Sequence, residues 1–149
     1  SLSLQLAEKD AKILALEAYS PTDNVSETTA NTNGEGWHSI FINYLKVSKL
    51  KRKDLIFVFS VGGGNLEKNV SPNIVKAIDY AKKKKTKIVG IIGKDGGYTK
   101  KNSNACVLIP VVNSKHITPH SEGMQAVIWH MIVSHPKLKV NKTKWESLK

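Results

Sequence analysis

An α/β fold with a parallel sheet is predicted by two features of the chain. Short runs rich in β-branched and aromatic residues alternate with segments of helical periodicity. That is the pattern of strands joined by crossover helices and covered on both faces, a three-layer sandwich. The second feature is local: Leu55-Ile-Phe-Val-Phe59 runs into Ser60-Val-Gly-Gly-Gly-Asn65 ahead of Ser71-Pro-Asn73. A strand that empties into glycines before a helix start is how an open sheet builds an anion pocket at its C-terminal edge.

The elements follow in order. Ile13-Leu-Ala-Leu16 reads as a first buried strand, ended by Ser20-Pro-Thr-Asp-Asn24, with short helical turns after it. Past Gly34 and Gly36, the residues Trp37, Ile40, Phe41, Tyr44 and Leu45 recur at helical spacing and predict an amphipathic helix. Leu55 to Ser60 is the next strand. A helix from Ser71 to Ala81 follows, its apolar stripe formed by Ile74, Val75, Ile78 and Ala81, with Ser71 as N-cap and Pro72 in the first helical position. Lys82-Lys-Lys-Lys85 closes that helix where cations complement its dipole. Lys87 to Ile92 is a strand, Gly93-Lys-Asp-Gly-Gly97 a turn and Cys106 to Val112 another strand. A long helix opens at Thr118-Pro119 and ends before Pro136. Residues 1–135 read as one domain and 136–149 as a basic tail.

With 149 residues, 40% of them hydrophobic, one core suffices without metal or disulfide staples. The lone Cys106 sits in the apolar run Ala105-Cys-Val-Leu-Ile109 and reads as a small core residue rather than a nucleophile. A single cysteine fits a reducing, cytoplasmic setting. No apolar stretch reaches the roughly 20 residues of a membrane span, and no signal-peptide pattern heads the sequence. The net charge is +11, yet Arg52 is the only arginine among 23 basic residues. Base-edge and bidentate phosphate readers favour arginine, so the balance argues against a specific nucleic-acid surface.

Glycines 62 to 64 permit positive φ and close approach of main-chain amides to a ligand, which points to phosphate; a plain mobile turn is the alternative. A dinucleotide fingerprint fails because Glu67 stands where the third glycine belongs, and a Walker loop fails because Gly93-Lys94 is followed by Asp95. The last helix carries one apolar stripe of Met124, Val127, Ile128, Met131 and Ile132 and another of Ala126, Trp129 and Val133, which predicts burial against a second subunit. Glu122 and His130 lie about 80° and about 12 Å apart on that helix. Both are acid/base candidates, against the alternatives of an interface histidine and a first-turn carboxylate stabilised by the dipole. His116, His120 and His135 read as loop and helix-end residues, and no spacing gives a closed metal site.

Taken together, Thr22-Asp-Asn24, Asn33 ahead of Trp37-His-Ser-Ile-Phe41, Asp54-Leu-Ile-Phe-Val-Phe-Ser60, Ser71-Pro-Asn-Ile-Val-Lys-Ala-Ile78 and Gly93-Lys-Asp-Gly-Gly97 resemble the SIS (sugar isomerase) domain. Within it the chain is most similar to the phosphoheptose isomerase group, over roughly residues 12–135. The resemblance implies a flavodoxin-like sandwich assembling as a homotetramer, with sites at subunit interfaces and aldose–ketose isomerisation of a phosphorylated sugar such as sedoheptulose 7-phosphate. It implies phosphate or substrate contacts from Ser60, Gly62, Gly63, Gly64, Asn65 and Ser71, and from Asp23, Asn24 and Asp95. The histidine of the family's C-terminal helix falls on His130 and its preceding polar ligand, usually glutamine, on Glu122. No cofactor is required by the residues themselves, while zinc follows from the resemblance, since some relatives carry it.

Two departures stand out. The family's Ser-Thr-Ser-Gly-Asn-Ser loop is longer here and poorer in hydroxyls. The Gly-Asn-Gly-Gly-Ser loop and the helix bearing a catalytic glutamate have no counterpart in the 149 residues, and Ser1 to Leu6 is expected to be a remnant of that helix. The other reading is therefore a non-catalytic SIS module, a sugar-phosphate sensor or tetrameric adaptor.

Overall fold

In the computed structural model, which describes residues 17–139, Leu55–Ser60 (β1), Lys87–Ile92 (β2) and Ala105–Leu108 (β3) form a parallel sheet in the order β1-β2-β3. Leu55 pairs with Lys87 and Ser60 with Ile92, and Val89 pairs with Ala105. The strand order and the helices between the strands bear out the α/β parallel architecture. Among the described residues five helices accompany the sheet: Val25–Glu35 (α1), Ile40–Val47 (α2), Pro72–Lys83 (α3), Gly97–Asn102 (α4) and Ile117–Ser134 (α5). Two compact units divide the chain; one is Pro21–Gln125, and the other contributes residues 17–20 and 126–139 to the described part. No helix among the described residues is long and apolar enough to cross a membrane. The expected strand at 13–16 and most of the basic tail lie outside the described residues.

The core of the larger unit grows from strand alternation. The even-numbered side of β1 and β2 presents Ile56, Val58 and Ile88 to the helices, where Ile78 and Ala81 of α3 and Leu50 are buried with them. Leu45, Ile74, Tyr80 and Tyr98 close the cluster. Each fully buried Ile contributes about 1.5–3 kcal/mol. Three members of the predicted stripe, Val75, Ile78 and Ala81, are buried at 2%, 0% and 0% exposure, and Ile74 is half-buried against the same core. The odd-numbered side is less covered: Leu55, Phe59 and Val107 remain exposed among the described residues.

Several boundaries differ from the sequence expectation, each for a local reason. The short helical turns expected after Asn24 are one helix, α1, whose N-cap is Asn24: its Oδ1 accepts from the Glu27 amide at 3.1 Å. Its Thr and Asn residues are poor helix formers and none of its residues is buried. The helix is tied instead to α2 by Asn43, which donates to Asn31 Oδ1 and Glu35 Oε2. Trp37 belongs to a 3-10 turn, Trp37–Ser39, and is exposed rather than packed on the sheet. Gly97, read as the end of a turn, opens α4. The third strand stops at Leu108; the Ile109 amide still donates to Ile92, but Pro110 has no N–H to continue the ladder. Cys106 is half-buried on that strand rather than in the core, and partial burial raises its thiol pKa, which suits no nucleophile.

Candidate functional site

Two loops meet backbone to backbone at the C-terminal edge of the sheet. The Gly63 carbonyl accepts from the Thr99 amide at 2.9 Å and from Thr99 Oγ1 at 2.8 Å, and the Gly64 carbonyl accepts from the Tyr98 amide at 2.7 Å. The glycines are required by this contact. A Cβ on Gly63 (φ 70°) would stand 2.1 Å from the Gly96 carbonyl oxygen, and one on Gly97 (φ 50°) 2.2 Å from the Gly62 carbonyl oxygen. Positive φ occurs at Gly63 and Gly64 but not at Gly62. The buried carbonyls of the glycine run therefore satisfy the first turn of α4. The Gly63 amide, expected to face a ligand, donates to Ser60 Oγ at 3.0 Å instead. Ser60 keeps its own hydroxyl hydrogen free to donate elsewhere.

The rest of the long loop folds on itself. Asn65 and Val70 exchange amide and carbonyl bonds of 2.8 and 3.0 Å, and Asn65 Oδ1 accepts from the Lys68 amide. Leu66 to Asn69 are exposed on this closed turn. The turn delivers the chain to Ser71 at φ 49° and ψ 55°, a left-handed conformation in which its side chain makes no cap bond. Ser71 thus holds the expected N-cap position without a side-chain cap: its carbonyl accepts from the Ile74 and Val75 amides, and Asn73 Oδ1 accepts from the Ile74 amide. Pro72 does occupy the first helical position.

Asp95 and Asn24 both serve local structure. Asp95 Oδ1 accepts from the Gly97 amide at 3.2 Å, and Asn24 caps α1; Asp23 beside it is exposed. Glu122 is exposed on α5 within the larger unit. His130 belongs to the smaller unit, is exposed, and stacks on the Trp129 ring with centroids 3.7 Å apart. His116 lies in the 3-10 turn Ser114–His116 and His120 in the first turn of α5, a helix end as expected, its ring 5.7 Å from that of His116. Among the described residues no three His, Cys, Asp or Glu side chains converge as metal ligands.

Sequence reasoning missed the residues that fasten α5 to this edge. Gln125 is 8% exposed, and its Nε2 donates to the Ser60 carbonyl at 3.0 Å and the Ile91 carbonyl at 2.9 Å. Ser121 is buried beside Gly93, where a Cβ would come 2.2 Å from Ser121 Oγ. The available signal was a lone amide within the apolar run from Met124 to Val133. Ser60, the two glycine loops and the Glu122-bearing half of α5 are thereby gathered at one end of the sheet.

Comparison with known proteins agrees with this layout. No protein-family model matches the chain. A phosphoheptose isomerase of Nitratiruptor sp. is 30% identical over 121 residues, 80% of this chain and 58% of that protein. One from Helicobacter pylori is 26% identical over 78% of this chain and 55% of its own length. In structure, phosphoheptose isomerases of Neisseria gonorrhoeae and Francisella tularensis superpose with TM-scores of 0.62 and 0.58 over 75% and 74% of this chain, at 20% and 22% identity. The chain spans a little over half the length of these proteins.

Proposed function

Given that this chain is a relative of the phosphoheptose isomerases and shares the SIS fold, we propose that the protein is a cytoplasmic aldose–ketose isomerase of a phosphorylated sugar, sedoheptulose 7-phosphate or a related ketose phosphate. Sequence likeness across 80% of the chain carries this reading. The reaction moves a proton between C1 and C2 through an enediol. A base removes the C–H proton from one carbon, an acid delivers one to the other, and the hydroxyl proton passes between the two oxygens. His130 serves as one of these groups and Glu122 orients it or the substrate hydroxyls. The Ser60 hydroxyl, the neighbouring loop and Ser71 hold the distant phosphate, whose binding energy orients the reacting carbons. Assembly as a homotetramer belongs to the same proposal.

The test is incubation of the protein with sedoheptulose 7-phosphate, followed by NMR. Turnover that falls by about 10²–10⁴-fold in His130→Ala supports the isomerase. Absence of turnover of any ketose phosphate, with thermal stabilisation by the same sugar phosphates retained, supports a sugar-phosphate sensor instead.

A further inference from the structure

The topology collects charge at the edge opposite the glycine loops. In a parallel sheet every connecting helix ends, and every strand begins, at one pole. Here α2 ends into the start of β1, α3 into β2 and α4 into β3. The three connections carry Lys46, Lys49, residues 51–53, residues 82–85, Lys87 and Lys101, eleven basic side chains, all exposed; Lys100 lies instead against Gly96 at the glycine-loop edge. Asp54 is the single carboxylate between Lys46 and Leu55, and the other two connections have none.

Hydrogen bonds hold these segments side by side. Thr86 Oγ1 donates to the Lys51 carbonyl at 3.0 Å, Lys82 Nζ to Asn102 Oδ1 at 2.6 Å, and Asn104 exchanges bonds of 2.8 and 2.9 Å with Ile88. The ordinary explanation is that lysines neutralise helix C-termini. Three such ends supply only about half a negative charge each. That offsets a small part of the eleven, so the pole stays strongly positive.

We propose that this pole docks the phosphate backbone of duplex nucleic acid without reading its sequence. Ten of the eleven cations are lysines, compact charges without the arginine fork that reads base edges. Tyr80, the aromatic nearest the lysine run, is half-buried and already lies 5.4 Å beneath Lys84, so it is not free to stack a base. Strands about 4.8 Å apart place the three connections across about 10 Å, close to the roughly 12 Å width of the major groove that separates facing phosphates. A duplex carries one negative charge per about 1.7 Å, so each lysine that engages it releases condensed counterions. The scarcity of arginine argues against sequence-specific reading and leaves this mode intact. The pole lies away from the glycine loops, so the inference does not depend on the isomerase reading.

The test is fluorescence anisotropy of a dye-labelled, mixed-sequence DNA duplex titrated with the chain. Contact with about four to six phosphates predicts an affinity falling about 10²–10³-fold between about 50 and 200 mM salt. The triple variant Lys82→Glu, Lys83→Glu, Lys84→Glu and a second one, Lys51→Glu, Arg52→Glu, Lys53→Glu, should each weaken binding at least about tenfold. Circular dichroism checks that each stays folded, and the two variants alter different connections. The control Lys68→Glu, Lys115→Glu, Lys137→Glu makes the same change of net charge elsewhere and should cost less than about threefold. Equal losses in pole and control variants, salt-independent binding, or capture by phosphatidylserine vesicles without duplex binding would each overturn the proposal.

Discussion

At the scale of single residues, the fold at the candidate site rests on a few atoms that admit no substitute. Gly63→Ala adds a methyl group against the Gly96 carbonyl at a positive φ, and should destabilise the protein by at least about 2 kcal/mol in urea unfolding. Gln125→Leu removes the donor that the Ser60 and Ile91 carbonyls share, while the Ser60 carbonyl keeps the Gly93 amide, and should cost about 1 kcal/mol, read the same way. Tyr98 donates its hydroxyl to Asp79 Oδ1 at 2.7 Å; that bond, then burial, raises its pKa above the ordinary 10.0. A raised folded-state pKa stabilises the protein fully below that ordinary value, and the contribution is lost as pH climbs through the folded value. Melting temperatures of wild type and Tyr98→Phe should therefore differ at pH 8 and begin to converge only as pH climbs beyond about 10; a constant gap would refute this role for the tyrosine.

Elements were legible in the sequence where periodicity was strong and illegible where tertiary partners decided. The strands at 55–60 and 87–92 and the apolar stripe of α3 follow from residue order, because burial on one face writes itself into the spacing. Helix α1 does not, since its polar run is held by Asn43 and an Asn cap rather than by an apolar stripe. Helix α4 starts on two glycines, and what makes it helical is the pair of carbonyls from Gly63 and Gly64, about 35 residues back in the chain from the amides they accept. The same long-range dependence hid Gln125, while Ser60 and the glycines were visible as strand-end residues. Asn43→Ala should accordingly loosen α1 alone, seen as faster amide exchange across Val25–Glu35 with the sheet's protection unchanged.

For the molecule as a whole, unpartnered apolar surface bears on assembly. Met124, Val127 and Met131 of α5 are 45%, 50% and 65% exposed, which leaves the expected packing of this helix against another copy open to a direct test. Val127→Lys should shift the protein to smaller species in light scattering while leaving its circular dichroism intact; an unchanged mass would remove α5 from any subunit contact. The meeting of the two glycine loops has a consequence for heredity. Neither partner can acquire a side chain while the other stays put, so tolerated change at positions 63 and 97 must arrive as a coordinated rebuilding of both bends, and a library of single replacements there should return almost nothing but glycine.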